Sequence, residues 1–324
     1  LTKRLLPQSR TRVMKRVLRK TPLSDKEGYM ADGPRIGALE AGGTKMVLAI
    51  GTREGKILER EVMPTTEPAG VVPQMIAWFA EREIDALGVG AFGPTCVNPE
   101  LPDYGKVLST PKQGWVNYDF LGALRAGLGV PIGYDTDVNA ACLGEALFGS
   151  ARGLKNVVYL TVGTGIGAGV LLGGKLLHGM LHPEAGHIPI EREKDDPLAM
   201  SVCQYHVSCL EGLASGPSIE KRWGLSASEL DEKQEVWELE ATYLAKALAV
   251  YVLCYSPQRI ILGGGVMKQT QLFPLIRQKL LENLNGYINT AELSAIDSYV
   301  VSDGCSGNQG ILGALALGLQ SLDS

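Results

Sequence analysis

The sequence predicts an α/β fold with two lobes and a cleft between them. Strand-like and helix-like segments alternate in two rounds along the 324 residues, a pattern that indicates sheets covered by helices. Three glycine-rich turns, at residues 42–45, 163–167 and 263–265, each follow a strand-like segment. A loop at residues 182–210 concentrates histidine and cysteine. Tight turns and a polar loop of this kind are typical of regions that hold a ligand.

The first round of elements covers residues 35–148. Two β-rich segments around Gly42-Gly43 predict a hairpin at residues 35–50. Further β-rich segments and apolar residues at helical spacing predict the elements that follow. The strands are predicted at 56–62, 84–91 and 130–134, and the helices at 71–82, 119–128 and 138–148.

The second round of elements, at residues 156–321, is predicted from the same two patterns. Strands are predicted within 156–178 and at 258–262, and helices at 217–223, 232–254, 270–285 and 306–321. From this order we expect a first lobe at residues 35–139, joined by the C-terminal helix at 306–324. A second lobe at residues 140–305 would contain the loop at 182–210.

Residues 1–34 differ in composition from the rest of the chain. Residues 1–20 hold eight Lys/Arg and no Asp/Glu. Since this arm has little to bury, we expect it to be disordered. Three interpretations are open: a targeting peptide, a nucleic-acid-binding tail, or translated upstream sequence ahead of a natural start at Met30. We favour the last, because the chain opens on Leu1 and composition changes at Met30.

Charge and hydropathy argue against two classes of function. Residues 1–29 hold nine of the 31 Lys/Arg and two of the 35 Asp/Glu, so the remainder has 22 basic and 33 acidic residues, a net charge of −11. An acidic body is a poor match for nucleic acid. No apolar run reaches the roughly 20 residues that span a bilayer, so we expect no membrane partner.

Cysteine usage fits a reducing cytoplasm. Six cysteines in a chain of this length do not form a disulfide framework. Four of them lie among small or apolar residues, and we expect them to be buried thiols: Cys96, Cys142, Cys254 and Cys305.

The other two cysteines belong to a pattern with zinc-ligand spacing. His187, Cys203, His206 and Cys209 form His-x15-Cys-x2-His-x2-Cys. Four nitrogen and sulfur donors can close a tetrahedral zinc site, and a site without an open position is structural. Chance placement is the alternative, but all four histidines of the chain lie within residues 178–206.

The three glycine-rich turns predict a phosphate-binding site. Glycine lets backbone N–H groups approach phosphate oxygens closely, and such turns form anion-binding concavities. One turn alone is a weak signal, but three turns in one chain suit a nucleotide held from several sides. None of them is a P-loop or a dinucleotide-binding fingerprint, and the first two lie between strands rather than ahead of a helix.

Asp137 is the candidate general base. It follows a predicted strand and lies at the start of a predicted helix. Phosphoryl transfer to a hydroxyl group needs a carboxylate that accepts the proton, and Mg²⁺ that neutralises the phosphates. The alternative is that Asp137 only caps the helix, a role that aspartate fills well. Asp135 is the rival for either role.

Taken together, the motifs resemble the ROK family of sugar kinases, and most closely its bacterial, zinc-containing fructokinase branch. The resemblance covers about residues 35–320 and implies the actin/hexokinase-like (ribonuclease H-like) ATPase fold. Glu40 stands where many members have aspartate, and the fructokinase branch commonly has glutamate there. The motifs that carry the resemblance are Glu40-Ala-Gly-Gly-Thr-Lys45, Phe92-Gly93-Pro94, Thr110-Pro111-Lys112 with Gly114-Trp115, Asp137-Val138-Asn139, Gly165-Ile166-Gly167, Gly186-His187, Cys209-Leu-Glu211 and Gly263-Gly264-Gly265.

The resemblance implies an ATP-dependent hexose kinase that converts D-fructose to fructose 6-phosphate, with structural Zn²⁺, with Mg²⁺ accompanying ATP, and with Asp137 as the base. His187 would serve zinc with one ring nitrogen and the sugar with the other. A homodimer is also expected. The implied sugar contacts are Asn139, Glu184, His187 and Glu211. The implied ATP contacts are Gly43, Thr44, Lys45, Thr164, Gly165, Gly264 and Gly265.

Two alternatives stay open at this point. A glucokinase, mannokinase or N-acylmannosamine kinase would use the same scaffold, because hydroxyl geometry at one carbon separates these sugars. A sugar-responsive ROK repressor is the non-enzymatic alternative. Such repressors carry a helix-turn-helix domain ahead of the kinase-like body, and residues 1–34 show no helix-pair pattern.

Overall fold

Two five-stranded sheets with covering helices organise the protein. The computed structural model describes residues 33–110 and 112–323, so the expectation for the basic arm lies almost wholly outside the described residues. Within the described part of the chain, no helix combines the length and apolarity needed to cross a bilayer. The predicted α/β class is confirmed.

The first sheet is formed by the first round of elements, in the strand order β3-β2-β1-β4-β5. As predicted, β1 and β2 form an antiparallel hairpin, whereas β1, β4 and β5 run parallel to one another. The parallel strands are buried almost throughout, as expected for a sheet covered on both faces. The strands are β1 (Ile36–Ala41), β2 (Lys45–Gly51), β3 (Ile57–Pro64), β4 (Ala86–Ala91) and β5 (Ile132–Thr136).

The second sheet has the order β10-β9-β6-β7-β8. Here β6 and β7 form an antiparallel hairpin, while β6, β9 and β10 are parallel. The strands are β6 (Val157–Val162), β7 (Ile166–Leu172), β8 (Lys175–Leu176), β9 (Arg259–Gly263) and β10 (Val300–Ser302).

Helices cover both sheets, and the long ones lie where apolar periodicity predicts them. The sequence did not reveal α4, α8, α9 and β10, because three to five residues are too few to show a period. The helices are α1 (Pro68–Ala80), α2 (Phe120–Leu128), α3 (Asp137–Phe148), α4 (Leu210–Ala214), α5 (Gly216–Trp223), α6 (Gln234–Tyr255), α7 (Leu272–Leu284), α8 (Ala291–Ser294), α9 (Ile296–Tyr299) and α10 (Gln309–Leu322).

Helix α3 contacts both sheets through glycines. A Cβ atom at Gly90 of β4 would lie 2.8 Å from the Ala140 Cβ, and one at Gly169 of β7 would lie 2.2 Å from the Val138 carbonyl oxygen. Helix α10 reaches α3 in the same way, since a Cβ at Gly313 would lie 1.6 Å from the Ala140 oxygen. Because no larger residue fits at these contacts, the start of α3 is held rigidly between the two sheets.

The carboxylate of Glu145 fixes the connection between β10 and α10. It is fully buried on α3 and accepts hydrogen bonds from the backbone N–H groups of Ser150 at 2.7 Å, Gly304 at 3.0 Å and Cys305 at 3.1 Å. These charge-assisted bonds compensate the burial of the carboxylate and tie α3 to the chain that enters α10.

One of the cysteine predictions is wrong. Cys96, Cys142 and Cys305 are buried free thiols, but Cys254 is exposed on α6. Apolar neighbours suggested burial, yet Val250 and Leu253 on the same side of α6 are themselves exposed. An apolar sequence context therefore did not mark the inward face of this helix.

Glu240 is a buried carboxyl group without a hydrogen-bond partner. It lies on α6 with 1% of its surface exposed, and neither carboxyl oxygen has a partner among the described residues. Burial raises the pKa of Glu240 well above its ordinary value, aided by the charge of Asp196 and opposed by that of Arg222. Arg222 is already paired with Asp196, with 2.7 Å between Nε and Oδ1. The folded state therefore favours the protonated acid, and stability falls as pH rises above the unfolded pKa.

We expect Glu240→Gln to raise Tm by several degrees at pH 8, because glutamine is neutral at every pH. The gain should shrink as the pH falls through 4.5, the ordinary pKa at which unfolded Glu240 begins to be mostly protonated as well. Thermal melting across this pH range measures both effects, with Glu235→Gln on the exposed first turn of α6 as the control. A lower Tm for Glu240→Gln at every pH would show that the native carboxyl is charged and paired.

Candidate active site

The candidate site begins at the carboxyl ends of three neighbouring parallel strands. Ala41, Ala91 and Thr136 lie in register at the ends of β1, β4 and β5. The residues that follow them therefore start side by side, at the strand spacing of about 4.8 Å. These residues are Gly42 of the first glycine-rich turn, Phe92 and Asp137. Open α/β sheets bind their ligands at such carboxyl ends.

Asp137 is the first residue of α3, and it is not the N-cap. Thr136 caps the helix, since its hydroxyl accepts a hydrogen bond from the Asn139 N–H at 3.2 Å. Among the described residues, the one hydrogen-bond donor to the half-buried carboxylate of Asp137 is the N–H of Val138, at 2.8 Å. The capping alternative for Asp137 is therefore wrong, and its remaining oxygen is available for chemistry.

The pKa of Asp137 suits a base at neutral pH. Burial raises the pKa from its ordinary value to about 7, and the negative charge of Glu40 adds to the rise. The Val138 N–H and the charge of His182 act in the opposite direction. A carboxylate with a pKa near the working pH can accept a proton and release it again.

Asp135 has a different role from its neighbour. It is 3% exposed, and it accepts hydrogen bonds from the Thr136 N–H, the Asn139 amide and the His178 ring, each at 2.7 Å. This network engages both carboxylate oxygens of Asp135 and anchors the first turn of α3. Asn139 itself is fully buried, and its Oδ1 has no hydrogen-bond partner among the residues that the structure describes, so its contact with a substrate stays a prediction.

The second and third glycine-rich turns lie together at the edge of the second sheet. They follow the neighbouring parallel strands β6 and β9. A Cβ at Gly163 would lie 3.7 Å from the Gly265 nitrogen, and the Gly216 N–H at the start of α5 donates to the Gly163 oxygen at 2.7 Å. Gly264 has φ +94° and packs on Val162, which only glycine tolerates. Thr164 and Gly265 are exposed at the tips.

Three predicted sugar contacts surround the start of β7. Glu211 accepts the N–H of Ile166 at 3.0 Å, and its other oxygen lies 3.8 Å from the His187 Nε2. Glu184 lies 3.1 Å from the Nε2 of His182, and this hydrogen bond lowers the pKa of Glu184. The 3-10 turn that carries His187 packs on β7, because a Cβ at Gly186 would lie 1.8 Å from the Ile166 oxygen.

The four predicted metal ligands do meet in space. The ligand atoms of His187, Cys203, His206 and Cys209 all lie within 4.8 Å of one another. The Cys203 Sγ lies 3.4 Å from the His206 Nδ1 and 3.8 Å from the His187 Nδ1, and the Cys209 Sγ lies 3.7 Å from the same His187 nitrogen. A tetrahedral zinc ion places its sulfur and nitrogen ligands about 3.5 Å apart. The donor set and its geometry therefore fit zinc.

The structure places three further residues at the site, and the sequence analysis assigned no role to them. Glu40 is near enough to Asp137 to raise its pKa, and burial raises the pKa of Glu40 itself. His182 holds Glu184, and only 7% of its side chain is exposed. The ammonium group of Lys112 contacts Gly43 of the first turn. Glu40 and Lys112 belong to motifs that the sequence analysis quoted. Their contacts with other segments could not be predicted, because spacing along the chain does not show which residues meet in space.

A surface depression of about 620 Å³ lies at the other end of α3, lined by residues that include Phe148, Arg152 and Asn308. None of the predicted catalytic or binding residues lines it.

The fold and the site define an α/β protein of the actin/hexokinase-like class. The ROK hexokinase from Thermus thermophilus matches the structure with a TM-score of 0.73 at 25% identity, over 89% of this chain and 99% of that one. The sequence pattern of the ROK family matches residues 36–321, and the chain belongs to that family.

Two relatives share most of their length with this chain. The fructokinase of Pediococcus pentosaceus is 42% identical over 287 residues, which cover 89% of this chain and 98% of that protein. The fructokinase of Zymomonas mobilis is 38% identical over 292 residues, which cover 87% and 96%. The predicted resemblance is confirmed.

Proposed function

We propose that this protein is an ATP-dependent hexose kinase that converts D-fructose to fructose 6-phosphate. The observation that carries the proposal is the position of Asp137. A half-buried carboxylate with a pKa of about 7 begins α3, beside a glycine-rich turn on the neighbouring strand ends. His182 lies 3.1 Å from Glu184, and its charge lowers the pKa of Asp137. The kinase-named relatives support the same activity.

The acceptor sugar would bind to Glu184, His187 and Glu211. Each of these side chains is oriented by a neighbour: Glu184 by His182, and Glu211 by the Ile166 N–H. His187 turns its Nδ1 toward the two cysteines and its Nε2 toward Glu211. One ring nitrogen can therefore bind zinc while the other donates to Glu211 or to a sugar hydroxyl group.

ATP would bind across the glycine-rich turns. Gly43, Thr44 and Lys45 would contact the phosphates from the first sheet, and Thr164 and Gly165 from the second. Gly264 and Gly265 would line the adenosine pocket. Thr44, Thr164 and Gly265 are exposed at the tips of these turns, where phosphate oxygens can approach the backbone.

In the proposed reaction Asp137 accepts the proton of the sugar 6-hydroxyl group as this oxygen attacks the γ-phosphorus. The new oxygen–phosphorus bond forms while the bond between the γ-phosphorus and the bridging oxygen breaks, and ADP leaves with that electron pair. Mg²⁺ bound with ATP would neutralise charge on the phosphates. Asp137 later releases the proton to water.

We propose that zinc bound by His187, Cys203, His206 and Cys209 is structural. All four donors come from the protein, so no position stays open for a reacting water. The ion would connect the loop at residues 182–210 to α4, which starts immediately after Cys209. It would thereby fix His187 and Glu211 relative to each other.

The free cysteines support a cytoplasmic location, because oxidising compartments favour disulfide pairing.

The homodimer stays a prediction. Sedimentation velocity at micromolar concentration would decide it.

We expect kcat/KM for fructose to exceed that for glucose and mannose by at least ~10-fold. The carboxylates of Glu184 and Glu211 are held by hydrogen bonds, so a sugar with one displaced hydroxyl group leaves a carboxylate that the bound sugar covers without its partner. A coupled assay of ADP release with a panel of hexoses measures the ratio. If glucose or an N-acylated mannosamine has the highest kcat/KM, the branch assignment is wrong although the kinase proposal stands.

We expect kcat/KM for fructose to rise about tenfold per pH unit below pH 7 and to level off above it. The reason is that only deprotonated Asp137 can accept a proton, and its pKa is raised to about 7. Initial rates from pH 5 to 9 at saturating ATP test this, with the coupling enzymes kept in excess at each pH. A flat profile, or activity that falls as pH rises through 7, would remove Asp137 as the base.

A further inference from the structure

Lys112 places its ammonium group on the first glycine-rich turn. Its Nζ donates a hydrogen bond to the carbonyl oxygen of Gly43, across 69 residues of sequence. A Cβ at Gly43 would lie 3.1 Å from the Lys112 Cε and 3.3 Å from its Nζ. Since these distances are tighter than ordinary contact, Gly43 leaves the space that the lysine uses.

The charge of Lys112 is not balanced by a carboxylate. Within the described part of the chain it forms no ion pair at 4.0 Å or less, whereas nearby Lys106 lies 2.7 Å from the Asp103 carboxylate. The Lys112 ammonium also lies near the ring of Phe92, whose centroid is 5.8 Å away. A half-buried cation held only by a carbonyl oxygen and a ring face is a good site for an anion.

The strand register places this cation near the base. Phe92 follows β4, the strand between β1 and β5, so Phe92 lies between the Gly42-Gly43 turn and Asp137. Lys112 contacts both the turn and Phe92. Lys45, the lysine within the turn itself, is exposed, and its positive charge opposes the rise that burial causes in the pKa of Glu40. Of the two lysines, Lys112 is the one that reaches the turn from a separate segment of the chain and contacts the Gly43 carbonyl oxygen.

We propose that Lys112 is a catalytic residue that binds the γ-phosphate of ATP and stabilises the negative charge on the phosphoryl group during transfer. The Gly43 carbonyl oxygen holds the ammonium group in the absence of nucleotide, and phosphate oxygens replace it when ATP binds. The inference rests on the proposed kinase function. Lysine suits this role because its ammonium group binds phosphate as a point charge and no bond to lysine need form.

We expect Lys112→Met to lower kcat by ~10²–10³-fold, the usual cost of removing one group that stabilises developing charge. KM for fructose should change by less than ~3-fold, because the sugar contacts lie elsewhere. Lys112→Arg keeps the charge and should recover part of kcat. Lys106→Met is the matched control, since it removes a nearby lysine that already has a carboxylate partner, and it should retain wild-type kcat.

A binding measurement tests the same inference without turnover. Calorimetric titration should show that Lys112→Met weakens binding of a non-hydrolysable Mg·ATP analogue by ~10-fold or more and leaves binding of Mg·ADP unchanged, because only the analogue carries a γ-phosphate. This readout is independent of the sugar, so it separates failure of the inference from failure of the proposed acceptor.

Four results would overturn the inference. The first is wild-type kcat in Lys112→Met. The second is a raised KM for fructose with unchanged kcat, which would make Lys112 a sugar contact. The third is an equal loss of affinity for the ATP analogue and for ADP. The fourth is an equal fall in Tm and kcat in both Lys112→Met and Lys112→Arg, which would indicate a structural role.

Discussion

Asp137→Asn should lower kcat for fructose phosphorylation by about 10²–10⁴-fold while the protein stays folded. Asparagine has almost the same shape and can still accept the Val138 N–H, which Asp137 binds at 2.8 Å. It cannot accept the proton of the sugar hydroxyl group. The change is therefore confined to the chemical step, and KM for ATP should vary little.

Thermal melting supplies the control for this variant. Because burial raises the pKa of Asp137 to about 7, the ionised carboxylate costs stability above its unfolded pKa. Asp137→Asn should thus raise Tm at pH 8, and the gain should vanish toward pH 3, where aspartate is mostly protonated in both states. Retention of wild-type kcat with only a raised KM would make Asp137 a binding residue instead of the base.

Cys209→Ser should remove zinc, lower Tm and abolish activity together. Closed zinc sites bind with an apparent free energy of about 10–16 kcal/mol, which becomes folding free energy for the loop that they close. Cys209 is buried at the start of α4, two residues before Glu211. Loss of the metal should therefore release both His187 and Glu211 from the acceptor site.

Elemental analysis, thermal melting and initial rates measure these three effects on the same preparation. Cys254→Ser is the matched control, because Cys254 is an exposed free thiol outside the cluster. Active wild-type protein that contains no more than trace zinc would end the structural-zinc proposal. A Cys209→Ser protein with full zinc and unchanged Tm would exclude Cys209 as a ligand.

Local features were predictable from the sequence where one short segment determines them. The hairpin of β1 and β2 follows from two β-rich segments around Gly42-Gly43. The zinc-ligand set follows from donor spacing, and the four donors do meet. The long helices follow from apolar periodicity, which is clear over two or more turns.

Features that depend on contacts between distant segments could not be predicted in this way. The register that aligns Ala41, Ala91 and Thr136 depends on pairing across three strands, and chain spacing does not encode it. The contact between Lys112 and Gly43 depends on how a loop folds back on the first turn. The capping of α3 by Thr136 instead of Asp137 depends on a one-residue shift of the helix start.

The central claim is that the chain transfers the γ-phosphate of ATP to the 6-hydroxyl group of fructose. Phosphorus NMR of the purified protein with Mg²⁺, ATP and fructose tests it directly, since substrates and products are seen in one spectrum. We expect the γ-phosphate signal to be replaced by equal amounts of ADP and a phosphomonoester that matches fructose 6-phosphate, and no such signal in Asp137→Asn over the same time. An unchanged ATP spectrum, or ADP accompanied only by inorganic phosphate, would contradict the account.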